Sequence, residues 1–121
     1  NIQEIGFDYY RRLEKSYREN ILDTNYEKLN GIDLKGDQAF EIKNKKVVID
    51  GNIILKDNSK LVIENSEVLW NNSYFVEFLA RIGDNATFEI KDSILVRNDP
   101  TNMNIYPEGG TLQIINSTCF Y

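Results

Sequence analysis

Four stretches of this 121-residue chain spell one pattern. "FEIKNKKVV" from Phe40, "LVIENSEVL" from Leu61, "FEIKDSILV" from Phe88 and "LQIINSTCF" from Leu112 share one order of residues. Each runs apolar, variable, Ile, variable, Asn or Asp, and then has an apolar residue three positions further on. The stretches start 21, 27 and 24 residues apart. A unit of this length cannot bury its own apolar face and must stack on the next, so the repeat constrains the chain to a solenoid. Alternate residues of a strand share a face. Phe40, Leu61, Phe88 and Leu112 therefore read as one inward column, and Ile42, Ile63, Ile90 and Ile114 as a second. Cys119 aligns with Val47, Val68 and Leu95 and reads as a small inward hydrophobe. The outward column is Lys43, Glu64, Lys91, Ile115, alternating in charge until the last coil. The corner column is Asn44, Asn65, Asp92, Asn116, residue types that tolerate left-handed backbone angles.

Further apolar segments lie between these strands: "NIIL" from Asn52, "YFVEFLARI" from Tyr74 and "MNIY" from Met103. They supply another strand per coil, and "DG" at Asp50, "GDN" at Gly83 and "EGG" at Glu108 mark turns at comparable places. The expected fold is all-β, a parallel solenoid of about four coils over residues 37–121. Three strands per coil with variable loops resembles the right-handed parallel β-helix proteins. That superfamily includes pectate lyases, phage tailspikes and repeat proteins of microbial cell surfaces. The resemblance implies right-handed coiling. It also implies that any enzyme on this frame would cut acidic sugars with clustered Asp, calcium and a basic residue on the outside of neighbouring coils. Asp50, Asp57, Asp84, Asp92, Arg81 and Arg97 are the residues to inspect for that chemistry. Their spacing reproduces no catalytic motif of the family, and Asp50, Asp57 and Asp84 stand beside Gly or Asn, where Asp serves the turn itself. The chain is therefore expected to be no enzyme, with no catalytic residue, metal or cofactor.

Residues 1–31 read differently. Ile2, Ile5, Tyr9, Leu13, Tyr17 and Ile21 recur at steps of three or four among charged residues, as an amphipathic helix requires. Thr24 with Glu27 has the form of a capping box, and Gly31 of a stop, so a second helical turn is expected before Gly31. This segment is expected to cap the first coil or to be exchanged with a neighbour.

Composition removes several function classes. A net charge of −5 argues against nucleic acid, whose phosphates are held by surplus Lys and Arg. No histidine is present, so Ser-His and Cys-His catalysis and His-bearing metal sites are excluded. Cys119 is the sole cysteine, which leaves no intramolecular disulfide. No apolar run reaches membrane-spanning length. The first residues, "NIQEIGFDYYRR", lack the basic start and apolar centre of a signal peptide, and a chain opening on Asn is read as processed or trimmed.

The last coil points to function. Its outward position carries Ile115 instead of a charge, and it closes on Cys119, Phe120 and Tyr121. A solenoid end without a cap offers an apolar cross-section and unpaired backbone to another strand. The expected function is a structural protein of the extracellular space or cell surface that joins copies of itself head to tail into a filament or lattice. Leu112, Ile114, Ile115, Asn116, Phe120 and Tyr121 would meet Phe40 and Ile42 of the next copy, or its helix stripe of Ile5, Tyr9 and Leu13. The alternatives are a carbohydrate-binding or carbohydrate-cleaving module and a piece of a longer β-helix protein. Trp70, Tyr74 and Tyr106 are the candidate sugar contacts, and Asn71, Asn85 and Asn116 match the glycan acceptor pattern.

Overall fold

One helix, α1 (Ile2–Leu22), precedes thirteen short strands in the computed structural model, which describes residues 2–72, 78–98 and 104–119, the side chains of residues 2–8 and 10 excepted. Leu13, Tyr17 and Ile21 stand four residues apart, so they form one stripe along α1. Ile21 is wholly buried against Val48, Leu69 and Val96, with Leu13, Tyr17 and Ile94 half-buried around it. The helix stops because Thr24 turns back on it. The Thr24 hydroxyl reaches the carbonyls of Asn20 at 3.2 Å and Ile21 at 3.1 Å. Thr24 thus closes the end of α1 and does not open a second helix.

The expected boundaries at residues 31 and 37 therefore move: the helical segment ends at Leu22 and the solenoid begins at Glu27. The first sheet contains β1 (Glu27–Leu29), β4 (Lys46–Ile49), β7 (Glu67–Trp70), β10 (Ile94–Arg97) and β13 (Thr118–Cys119). The second contains β2 (Ile32–Leu34), β5 (Ile53–Leu55), β8 (Ala80–Ile82) and β11 (Ile105–Tyr106). The third contains β3 (Ala39–Lys43), β6 (Lys60–Glu64), β9 (Thr87–Lys91) and β12 (Thr111–Ile115). The chain visits the three sheets in the same order on each coil, and every pairing among the described strands is parallel. This is a parallel β-solenoid with one helix.

The columns expected from the repeat are in register. Phe40 pairs with Leu61, Leu61 with Phe88 and Phe88 with Leu112; Ile42, Ile63, Ile90 and Ile114 follow beside them. Lys43, Glu64, Lys91 and Ile115 share the outward column, and the Lys43 ammonium lies 3.6 Å from the Glu64 carboxylate. Inside the tube the side chains of the three sheets make one apolar core that includes Val47, Ile53, Leu61, Val68, Trp70, Ile82, Phe88 and Leu95. Gly51 packs tightly on the first coil, where a Cβ would collide with the Asn30 carbonyl, and its own carbonyl accepts the Trp70 indole N–H at 2.8 Å.

The expectation of burial holds for Leu61, Ile63, Phe88 and Ile90, but not for the last rung. Leu112 is half-buried and Ile114 is 39% exposed, because β12 has β9 on one side and no strand on the other among the described residues.

The helix lies along the outer face of the first sheet, across β4, β7 and β10, and is not a lid on the first coil. Val48, Leu69 and Val96 explain this: they are outward residues and yet apolar, so they need a cover, while Lys28 in the same column of β1 stays outside it and pairs with Asp50 at 3.4 Å. Glu14, only 5% exposed, anchors the helix. Its carboxylate lies 3.7 Å from Arg18 and 3.4 Å from Arg97 on β10.

Candidate functional site

The corner between the third and first sheets is the most regular polar feature of the molecule. Asn44, Asn65, Asp92 and Asn116 all take the left-handed region, with φ of 56, 46, 50 and 47°. Short polar side chains tolerate these angles, and stacking then sets them one above another. The Asn65 amide donates to Asn44 Oδ1 and the Asn116 amide to Asp92 Oδ1, both at 2.7 Å.

Beside this column runs a serine ladder. The N–H groups of Lys45, Ser66 and Ser93 each donate at 3.1 Å to the hydroxyl of the serine one coil on: Ser66, Ser93 and Ser117. Each hydroxyl in turn donates to the carbonyl two residues before it, Glu64, Lys91 or Ile115, at 2.7 to 2.8 Å. The template passed over this ladder, although the dipeptides Asn65-Ser66, Asp92-Ser93 and Asn116-Ser117 spell it at a fixed place. An open groove of about 410 Å³ follows the corner, and its Lys46 and Glu67 pair with each other at 3.6 Å.

The acids and arginines considered for sugar cleavage are spread over the molecule. Asp50 stands at the first-to-second corner, Asp57 and Asp84 at the second-to-third, and Asp92 at the third-to-first. Asp57 accepts the Gly36 N–H at 2.8 Å, a turn role. Arg81 on the outside of β8 pairs with Glu108 at 3.7 Å, and Arg97 faces Glu14. No three acidic or cysteine side chains gather as metal ligands among the described residues.

The aromatic platform does not form around Trp70. That ring is wholly buried in the core, so it cannot stack on a sugar. Tyr106 is exposed on β11, and Tyr74 lies outside the described residues. Of the three glycan acceptors, Asn85 stands exposed in a turn at φ 66°. Asn71 accepts the Asn98 side-chain amide, and Asn116 is tied to Asp92.

The assembly residues divide in the same way. Ile42 is buried, Phe40 and Leu13 are half-buried, and Tyr9 is exposed on α1. The Ile5 side chain, Phe120 and Tyr121 lie outside the described residues. The last rung brings the rest together: Leu112 and Cys119 half-buried, Ile114 and Ile115 exposed, and Asn116 at the corner. Burial pushes the Cys119 thiol from its ordinary 9.0 up to about 11, which keeps it protonated and unreactive near neutral pH.

No helix among the described residues is long and apolar enough to cross a membrane. Compared with protein-family models, curated proteins and solved structures, the chain gives no match. Its own geometry is therefore what a functional reading has to rest on.

Proposed function

We propose that the chain is a structural, non-catalytic β-solenoid that works by joining copies of itself through the rung of β11, β12 and β13. One observation carries this reading. Strand β12 shows Ile114 at 39% and Ile115 at 44% exposure, one on each face of the strand, whereas Ile90 one coil earlier is wholly buried and its neighbour Lys91 is charged. An edge strand that must stay unpaired is usually protected by charge, proline or a bulge. Here apolar residues stand at both faces, and main-chain groups together with matching side chains supply the affinity for an added strand. The likeness of the template to repeat proteins of microbial surfaces supports an extracellular or cell-surface setting, with cell-surface carbohydrate as a neighbour.

Sedimentation velocity of the 121-residue chain over a concentration series tests the reading. Larger species are expected to grow with concentration. A chain that stays monomeric throughout overturns the proposal. Release of unsaturated or reducing sugar ends by the purified protein, lost in Asp84→Ala or Arg81→Ala, would overturn its non-catalytic part.

A further inference from the structure

We infer that Asn30 is a site of self-modification, where the Gly31 backbone nitrogen attacks the Asn30 side-chain amide and converts it to aspartate or isoaspartate. The reaction needs an amide that water reaches and a following N–H that is free to come onto it. Asn30 is exposed at the first-to-second corner, between β1 and β2. Gly31 follows at a φ of 124°, a conformation that residues with side chains rarely adopt, so nothing on its Cα shields the nitrogen. The Gly31 N–H donates to no group among the described residues.

At other asparagines the corresponding N–H is held. The N–H groups after Asn44 and Asn65 are taken by the serine ladder at 3.1 Å. Those after Asn52, Asn58, Asn71 and Asn85 donate to the carbonyls of Leu79, Lys56, Trp70 and Gly83 at 2.9 to 3.2 Å. To attack, each of these nitrogens must first give up a bond of the fold, and Gly31 gives up none.

The step balances with water as its only co-reactant. Solvent base takes the Gly31 proton, and the nitrogen bonds to the side-chain carbonyl carbon of Asn30. The bond from that carbon to the amide nitrogen breaks and ammonia leaves. Water then opens the resulting cyclic imide at one of its carbonyls. One opening leaves aspartate; the other leaves isoaspartate, whose main chain runs through the former side chain and is longer by a methylene. Nothing is oxidised or reduced.

Either product disturbs the first coil. By the register of β1 on β4, position 30 lies beside Asp50, whose carboxylate pairs with Lys28 at 3.4 Å. A second carboxylate there sets like charges opposite each other. Isoaspartate does more. The Asn30 carbonyl and Gly31 Cα pack so closely on Gly51 that a Cβ there would lie 2.3 and 2.9 Å from them. The added methylene has no room, and the adjoining bond from the Ile32 N–H to the Asn52 carbonyl, 2.9 Å long, is drawn apart.

Peptide mapping by mass spectrometry after incubation in warm, mildly alkaline buffer tests the site, run on the folded chain and on the chain unfolded in guanidinium chloride. The expected result is a gain of one dalton at Asn30 at similar rates in both, with isoaspartate among the products. Asn58 and Asn65, each followed by Ser, should convert many-fold faster unfolded than folded. Asn30→Gln, whose longer side chain closes a less favourable ring, should stay unmodified. Hydrogen exchange at the Ile32 amide should quicken in the aged wild type and not in Asn30→Gln. An Asn30 amide that folding protects as strongly as it protects Asn65 would overturn the proposal, as would conversion of Asn58 or Asn65 ahead of Asn30 in the folded chain. An Ile32 amide that exchanges alike in both aged proteins would overturn the effect on the first coil.

Discussion

At the third-to-first corner, four residues hold backbone angles that most side chains avoid, and each is Asn or Asp. The next residue in three of the four coils is a serine whose hydroxyl takes an N–H from the coil before. Ser93 shows what this bond is worth. Its hydroxyl is the acceptor for the Ser66 N–H, and both serines are only 4% exposed, so water cannot replace it. Ser93→Ala should cost roughly 1 to 3 kcal/mol, the penalty for a buried donor left without a partner, read as a lower urea midpoint. A change within a few tenths would mean that the ladder contributes nothing net. The thiol of Cys119 gives a pH signature. Burial holds it at about 11 in the fold against 9.0 outside it, so the folded state keeps its proton longer. The stability this brings is present in full below pH 9.0 and is lost as pH rises toward 11. Stability of the wild type should therefore fall more steeply over that window than that of Cys119→Ala; parallel curves would show that the thiol does not titrate as described. At this scale the Asn corner was legible from residue type alone. The serines were not, because one hydroxyl among many polar residues has meaning only once the coils are in register.

The elements differ in how plainly the sequence writes them. Long template strands such as β6 and β9 alternate over five residues, and their burial follows that alternation. β1 and β2 have three residues each and include Glu27, Lys28 and Asp33, too few positions and too many charges for a period to emerge. The sequence reading accordingly takes β1 into the helical segment of residues 1–31 and leaves β2 outside both segments. The stripe of α1 was equally plain, yet its docking place was not. An apolar stripe asks only for an apolar partner, and that partner is Val48, Leu69 and Val96 on three separate coils. Glu14 and Arg97 fix the position, and they stand 83 residues apart in the chain. Two predictions belong here. Ile21→Ala empties a wholly buried aliphatic side chain between helix and sheet and should cost roughly 2 to 5 kcal/mol in thermal or urea unfolding. Glu14→Ala leaves Arg18 and Arg97 without their shared carboxylate and should cost roughly 1 to 3 kcal/mol. Variants as stable as the wild type would place the helix off the sheet.

A stack of coils is nearly one-dimensional: each rung touches only the rungs before and after it, so stability depends on how many neighbours a rung has. The repeat made this architecture legible, but not the difference between its ends, which comes from two substitutions in the first coil. Glu27 and Lys45 stand where later coils carry an apolar residue and a serine, and they pair with each other at 3.2 Å on the first coil. β12, the last described strand of its sheet, carries no charged residue. The column of isoleucines turns this into a graded prediction. Ile63→Ala and Ile90→Ala remove wholly buried side chains with strands on both sides and should each cost roughly 2 to 5 kcal/mol, whereas Ile114→Ala should cost well under that, since its side chain is 39% exposed. Hydrogen exchange should follow the same order in dilute protein, slowest in β6 and β9 and faster in β12. Concentration gives a further check on the proposed self-association. The amides of Leu112 to Ile115 should gain protection as the protein is concentrated, because an added strand takes up main-chain groups of β12. Protection that does not change with concentration would count against β12 as the joining strand.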